Sequence, residues 1–202
     1  MKKNIYICIS VLNIVIAFLL GYFIQRSIFR DNTSRFDDYD GLLDQVMDDQ
    51  MLSYKNETLC INDNGFISGE NIQEIPIGDL NISTHTLILR YSMSNCTDCI
   101  KYILDVMKNN THLLNAVDVN IFGNFQYARD AYVYKKVNNL SFNVYCVKDS
   151  ILPLDEINTP YLFLLNKDHK VSHVFIPRKE MHQSTLNYLN VINEFAKMKS
   201  ND

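Results

Sequence analysis

Residues 5–24 form a nearly unbroken apolar run, interrupted mainly by Ser10, Asn13 and Gly21. As a helix rising about 1.5 Å per residue, it would reach about 30 Å, the thickness of a bilayer core. Beyond it the pattern changes. Asp31 to Gln50 is acidic and polar, and within 37–54 Leu43, Met47, Gln50 or Met51, and Tyr54 fall on one stripe beside Leu42 and Val46. This spacing predicts an amphipathic helix of about four turns. Asp63-Asn64-Gly65 predicts a turn that folds Thr58–Ile61 against Phe66–Ser68 as a small hairpin. Residues 69–83 read as a connection with one or two short strands, Pro76 standing at an edge.

From Thr86 the pattern is that of an α/β domain. Thr86–Tyr91 is a β-branched and apolar strand broken only by Arg90, and Ile100, Ile103, Leu104 and Met107 recur at helical spacing just after it. Val117–Phe122 alternates as a half-buried strand should. A helix is predicted over 124–137 with Phe125, Ala128, Tyr132 and Val133 inward, then a short strand over 143–147. Strand, helix, strand in this order implies a parallel pair joined by a right-handed crossover. Tyr161–Leu165 is an unbroken apolar run typical of a central strand. The turn at 166–169 returns the chain through Val171–Ile176 as an antiparallel partner, and Pro177 stops it. Residues 184–198 close the chain as an amphipathic helix with Leu186, Leu189, Ile192, Phe195 and Ala196 on one face.

The apolar run at 5–24 has two readings, an uncleaved anchor or a cleaved signal peptide. Cleaved signals use shorter cores and a small-x-small site, whereas Gly21-Tyr22-Phe23 puts an aromatic where a small residue belongs. Residues 1–25 are therefore expected to be a signal anchor, 26–81 an acidic stalk and 82–202 the globular domain. Lys2 and Lys3 on one flank oppose Arg26 and Arg30 on the other, so charge does not fix orientation. A single N-terminal anchor followed by a folded domain favours export of that domain. The helix at 37–54 is read as packing on its own domain or standing as a solvated stalk, with a homodimer seam as the alternative.

A chain of 202 residues, 47% hydrophobic, buries one ordinary core. A net charge of −4 gives no basic footprint, so nucleic acid is not expected as a partner. Of Cys8, Cys60, Cys96, Cys99 and Cys146, only Cys96 and Cys99 are close in sequence, which is no disulfide scaffold. Cys8, Cys60 and Cys146 read as packing residues. No cofactor is expected, and no metal: Cys96, Cys99, His169 and His173 are spaced far beyond a zinc finger, and Ile100 stands where haem attachment needs histidine.

Cys96 and Cys99 carry the chemistry. Three apart at the start of a helix, they share a face about 5–6 Å apart, inside disulfide range. Cys96 meets unpaired amides and the positive end of the helix dipole, which lower a thiol pKa, while Cys99 lies one turn further in. Cys96 is therefore the expected attacking thiol and Cys99 the resolving one. Asp98 places a negative charge beside both, disfavouring the thiolate and moving the couple toward a reducing potential. A permanent structural disulfide, or reduced cysteines kept as small packing residues, remains the alternative.

Cys96-Thr97-Asp98-Cys99 opening a helix after a strand resembles the active site of the thioredoxin superfamily. Thr159-Pro160, before a central strand, a hairpin and a terminal helix, resembles that superfamily's cis-proline loop. The resemblance covers about 82–200. With the anchor, the chain is similar to membrane-tethered thioredoxin-like proteins of bacterial envelopes, Bacteroidetes-type and related to the cytochrome c maturation thioredoxins. The Phe-Ile-Pro-x-Lys-Glu stretch at 175–180 is part of that likeness.

The resemblance implies a thioredoxin-like mixed sheet flanked by helices, after one N-terminal transmembrane helix. It implies thiol-disulfide exchange with envelope protein thiols or disulfides, Thr159 and Pro160 binding substrate. The implied place is the inner membrane, single-pass, with the C-terminal domain facing the periplasm or cell exterior. Two positions depart from the pattern. Asn95 stands where an aromatic usually precedes the first cysteine, and Arg90 stands where many members carry a buried carboxylate. These departures favour the rival reading, a non-catalytic interaction module with a structural or vestigial CxxC.

Overall fold

The structure is a computed structural model that describes residues 19–23, 25, 41–62, 65–69, 74–80, 82, 85–157 and 159–199. The chain divides into two compact units, Met1–Asp48 and Asp49–Asp202. In the first, residues 19–23, 25 and 41–48 are helical. Among the described residues no helix is long and apolar enough to cross a membrane, and most of the predicted span at 5–24 lies outside them.

The second unit opens with helical residues 49–56 (α1). Seven strands follow: β1 (Phe66–Ser68), β2 (Glu74–Pro76), β3 (Thr86–Ser92), β4 (Asp118–Asn124), β5 (Asn143–Val147), β6 (Tyr161–Leu165) and β7 (Val171–Phe175). They form one mixed sheet in the order β2-β1-β5-β4-β3-β6-β7. β3, β4 and β5 run parallel, and β6 lies antiparallel to β3 with Arg90 opposite Tyr161. Three further helices are α2 (Thr97–Asn109), α3 (Ala128–Val137) and α4 (His182–Lys199).

The period-2 alternation of β3 sends Leu87, Leu89 and Tyr91 to one face of the sheet and Ile88 and Arg90 to the other. The first face packs on Ile100, Ile103, Leu104 and Met107 of α2, Ala131 of α3, and Leu189, Ile192 and Ala196 of α4. The second face is covered by Ile61, Ile67, Ile77, Leu80, Ile82 and the 151–154 segment, with Leu52 of α1 against them. Because both faces are covered, β4 is buried from Val119 to Gly123 rather than at alternate positions, Asp118 alone standing exposed at its start. Its Asn120 stays inside by accepting a hydrogen bond from Asn143 Nδ2.

Three further expectations are corrected. Thr58–Ile61 does not fold back on Phe66–Ser68, which pairs instead with β2 and β5. Residues 58–61 pair with the outer edge of β7: Thr58 N–H donates to Val171 O, Val171 N–H to Leu59 O and Ile61 N–H to His169 O. An open edge needs a partner, and this strap supplies one. Cys60, which bridges Lys170 within the strap, is exposed rather than a packing residue. The helix expected from 124 begins at Ala128, so the inward residues are Ala131 and Tyr134, while Tyr132 and Val133 face out. Phe125 is buried, but from the turn before the helix, and it does not share the helix's phase.

Candidate dithiol site

β3 ends at Ser92, and the chain must reverse within three residues to start α2. Asn95 does this: its N–H donates to Ser92 O at 2.9 Å, and its Oδ1 accepts from Ser92 N–H at 2.7 Å. A short amide side chain can close a turn on its own backbone, which an aromatic at this position cannot do. Asn95 is buried by that closure, so its place before Cys96 has a local structural reason.

Cys96 is the N-cap of α2, with φ −51° and ψ 116°. Its carbonyl accepts from the N–H groups of Cys99 and Ile100, and its Sγ accepts from Cys99 N–H at 3.3 Å. The sulfur occupies the place where Ser or Asp usually satisfies orphan amides at a helix start. Cys96 is exposed and Cys99 half-buried, and both are free thiols.

The two thiols differ in acidity for identifiable reasons. The Cys96 pKa is lowered, first by the hydrogen bond from the Cys99 side chain and then by the Cys99 N–H; the Asp98 carboxylate opposes this as the smallest contribution. The Cys99 pKa is raised, first by burial and then by the hydrogen bond and charge of Cys96. Lys179 lowers it and Glu180 raises it. An acidic, exposed thiol one turn from a less acidic, sheltered one can attack a disulfide and then be released by its neighbour.

The site sits beyond the carboxyl ends of the parallel strands, where open α/β sheets place their ligands. No protein-family model matches the sequence, and no curated protein matches it. Among solved structures, the chain is similar to an uncharacterized thioredoxin-like protein from Porphyromonas gingivalis. The TM-score is 0.50 at 13% identity, covering 66% of this chain and 90% of that one. The fold is thioredoxin-like. A putative thiol:disulfide interchange protein DsbE from Chlorobium tepidum aligns with TM-score 0.49 at 15% identity, over 68% of this chain and 96% of its own. The mitochondrial 2-Cys peroxiredoxin from Plasmodium falciparum aligns with TM-score 0.49 at 11% identity, over 72% and 95%.

Within this thioredoxin-like unit, Thr159 and Pro160 immediately precede β6. The Arg90–Tyr161 register places them beside the end of β3 from which the dithiol turn departs. The Thr159–Pro160 bond is trans, as every peptide bond among the described residues is, which corrects the expected cis geometry. An X-Pro bond prefers trans by about 0.5–1 kcal/mol unless its surroundings select otherwise.

Arg90, which stands where the resemblance leads one to expect a carboxylate, is buried. It donates from Nε to Asp155 Oδ1 at 2.9 Å, from Nη1 to Val147 O and from Nη2 to Asp149 O. Asp155 also accepts from Ile151 N–H and from Tyr161 Oη, so the cluster is fully paired and pins the 147–155 segment beneath the site.

Sequence reasoning noted the 175–180 stretch only as part of the likeness and missed that it packs on α2, the helix that carries Cys99. Arg178 forms a forked ion pair with Asp49 of α1 at 2.8 and 2.7 Å, and Lys179–Met181 makes a 3₁₀ turn leading into α4. Neither that likeness nor the charged run after Pro177, which carries no periodicity, names a partner.

Proposed function

We propose that the protein is a membrane-tethered thiol-disulfide oxidoreductase, acting as a reductase on protein disulfides of the bacterial envelope. One observation carries this reading: an exposed Cys96 sulfur accepts the Cys99 amide at the start of α2, with Cys99 sheltered one turn behind it. Cys96 thiolate attacks the substrate disulfide, forming a mixed disulfide and expelling one substrate thiolate. Cys99, losing its proton to solvent, then attacks Cys96, and the second substrate sulfur leaves with the electron pair. The protein ends as a disulfide and the substrate as a dithiol. Thr159 and Pro160, at the same end of the sheet, supply the backbone against which a substrate strand lies. Residues 5–24 hold the chain in the inner membrane with its domain outside, and the 37–54 stripe is available for pairing two copies.

Insulin reduction by the full chain with dithiothreitol tests the reading. Turnover above the uncatalysed rate, abolished by Cys96→Ser, is expected. Trapping with Cys99→Ser should accumulate mixed disulfides on Cys96. Absence of both in a correctly folded chain would establish the second reading, a thioredoxin-like interaction module. That reading is favoured by Arg90, which stands where a carboxylate would accept the Cys99 proton and is itself tied to Asp155.

A further inference from the structure

The segment after β7 takes no part in the exchange as written, yet its turn packs on α2, the helix that carries the resolving thiol. Pro177 is buried, and Arg178 behind it is held by both carboxylate oxygens of Asp49. The Lys179–Met181 turn packs against both α2 and α4. Tyr102, one turn beyond Cys99 on α2, bonds to Thr185 Oγ1 at 3.2 Å and lies 3.3 Å from His182 Nδ1, which closes the contact between the two helices. Cys99 and Tyr102 share a helical face, so that face is turned toward the start of α4.

The charged and titratable groups around Cys99 are Cys96 and Asp98 on its own helix, Arg178, Lys179 and Glu180 on the turn, and His182 where α4 begins. Their balance changes during turnover. Once Cys96 is joined to substrate, its charge and hydrogen bond no longer oppose ionisation of Cys99. Burial and Glu180 still do, and Lys179 counters them, with Arg178, itself neutralised by Asp49, behind it.

Resting on the exchange reading above, we propose that the Asp49–Arg178 pair is a latch that holds the Lys179–Met181 turn against α2, making Lys179 a positioning residue that favours the Cys99 thiolate in the mixed disulfide. Lys179 and Glu180 are exposed, so replacing them leaves the core intact.

The test is alkylation of Cys99 by iodoacetamide, followed by mass spectrometry across pH in the full chain carrying Cys96→Ser, which removes the Cys96 charge as the mixed disulfide does. Lys179→Ala should move the Cys99 profile to higher pH and slow its alkylation near neutrality about threefold, the effect of about half a pKa unit. Lys179→Arg should restore it, and Glu180→Gln should move it the other way. Asp49→Asn, which leaves Lys179 in the sequence but releases its turn, should act in the same direction as Lys179→Ala. High salt should shrink the Lys179 and Glu180 differences because those two side chains are exposed. An unchanged Cys99 profile in Lys179→Ala and Glu180→Gln overturns the role of Lys179, and an unchanged profile in Asp49→Asn overturns the latch. No substrate enters the assay, so a wild-type chain inactive on insulin would overturn the exchange reading and leave this result to be judged separately.

Discussion

At the scale of single residues, hydrogen bonds outweigh nearby charge at Cys96. The Asp98 carboxylate disfavours its thiolate, but the bonds from Cys99 act more strongly and the pKa falls. At neutral pH a lowered pKa enlarges the Cys96 thiolate fraction, and a raised one shrinks that of Cys99. Iodoacetamide should therefore modify Cys96 before Cys99 at pH 7, the difference narrowing as pH rises and Cys99 ionises. Asp98→Asn should lower the Cys96 pKa slightly further, visible as faster alkylation and a more oxidising couple in glutathione equilibration.

Gly123 presents the steric counterpart. A Cβ there would collide with the ring of Phe125, which is buried and packed edge-on against Tyr91. Gly123→Ala should cost about 1–3 kcal/mol, read as a lowered urea midpoint with an unchanged slope.

At the scale of elements, the Arg90 cluster joins β3, the segment after β5 and the start of β6. Removing Arg90 leaves the half-buried Asp155 carboxylate with no opposite charge, only the Ile151 N–H and Tyr161 hydroxyl bonds, which costs far more than the intact pair contributes. Arg90→Met should destabilise the chain by about 3–5 kcal/mol in chemical denaturation, and adding Asp155→Leu should recover part of the loss.

The same cluster shows what a sequence conceals. β3, α2 and β6 were legible because their burial follows consecutive positions: Leu87 and Leu89, Ile100 and Ile103–Leu104, then the whole of Tyr161–Leu165. The thiols were legible because their spacing and a helix start suffice to place them. Arg90 read as an interruption because its partner lies 65 positions away, and Arg178 gave no hint of Asp49, 129 positions before it. Asn120 made β4 look half-exposed because a satisfied buried amide and a solvated one have the same letter. The face of α3 was misassigned because Phe125 was counted into a helix that starts three residues later.

At the scale of the whole molecule, residues 49–61 act as a strap on the sheet. Besides its backbone pairing with β7, the strap sends Glu57 Oε1 to accept from Val174 N–H and places Ile61 in the second core. A chain shortened to begin after Asn62 would lose these bonds, Ile61 and the Asp49–Arg178 pair together, and expose the β7 edge. Such a truncation should melt lower than the full chain and sediment as aggregates at concentrations where a chain beginning before Asp49 stays dispersed.

The strap also sets a timetable for synthesis. Its partner strand lies roughly 110 residues further along the chain, so at about 5–20 residues per second the ribosome takes on the order of 5–20 seconds to deliver it. Through that interval the strap's amides and Ile61 have no native partner, while β3, α2 and β4, neighbours in sequence, can already dock. The nascent chain is thus most exposed to capture by a chaperone just before β7 emerges, and slow codons placed ahead of Val171 should prolong that window.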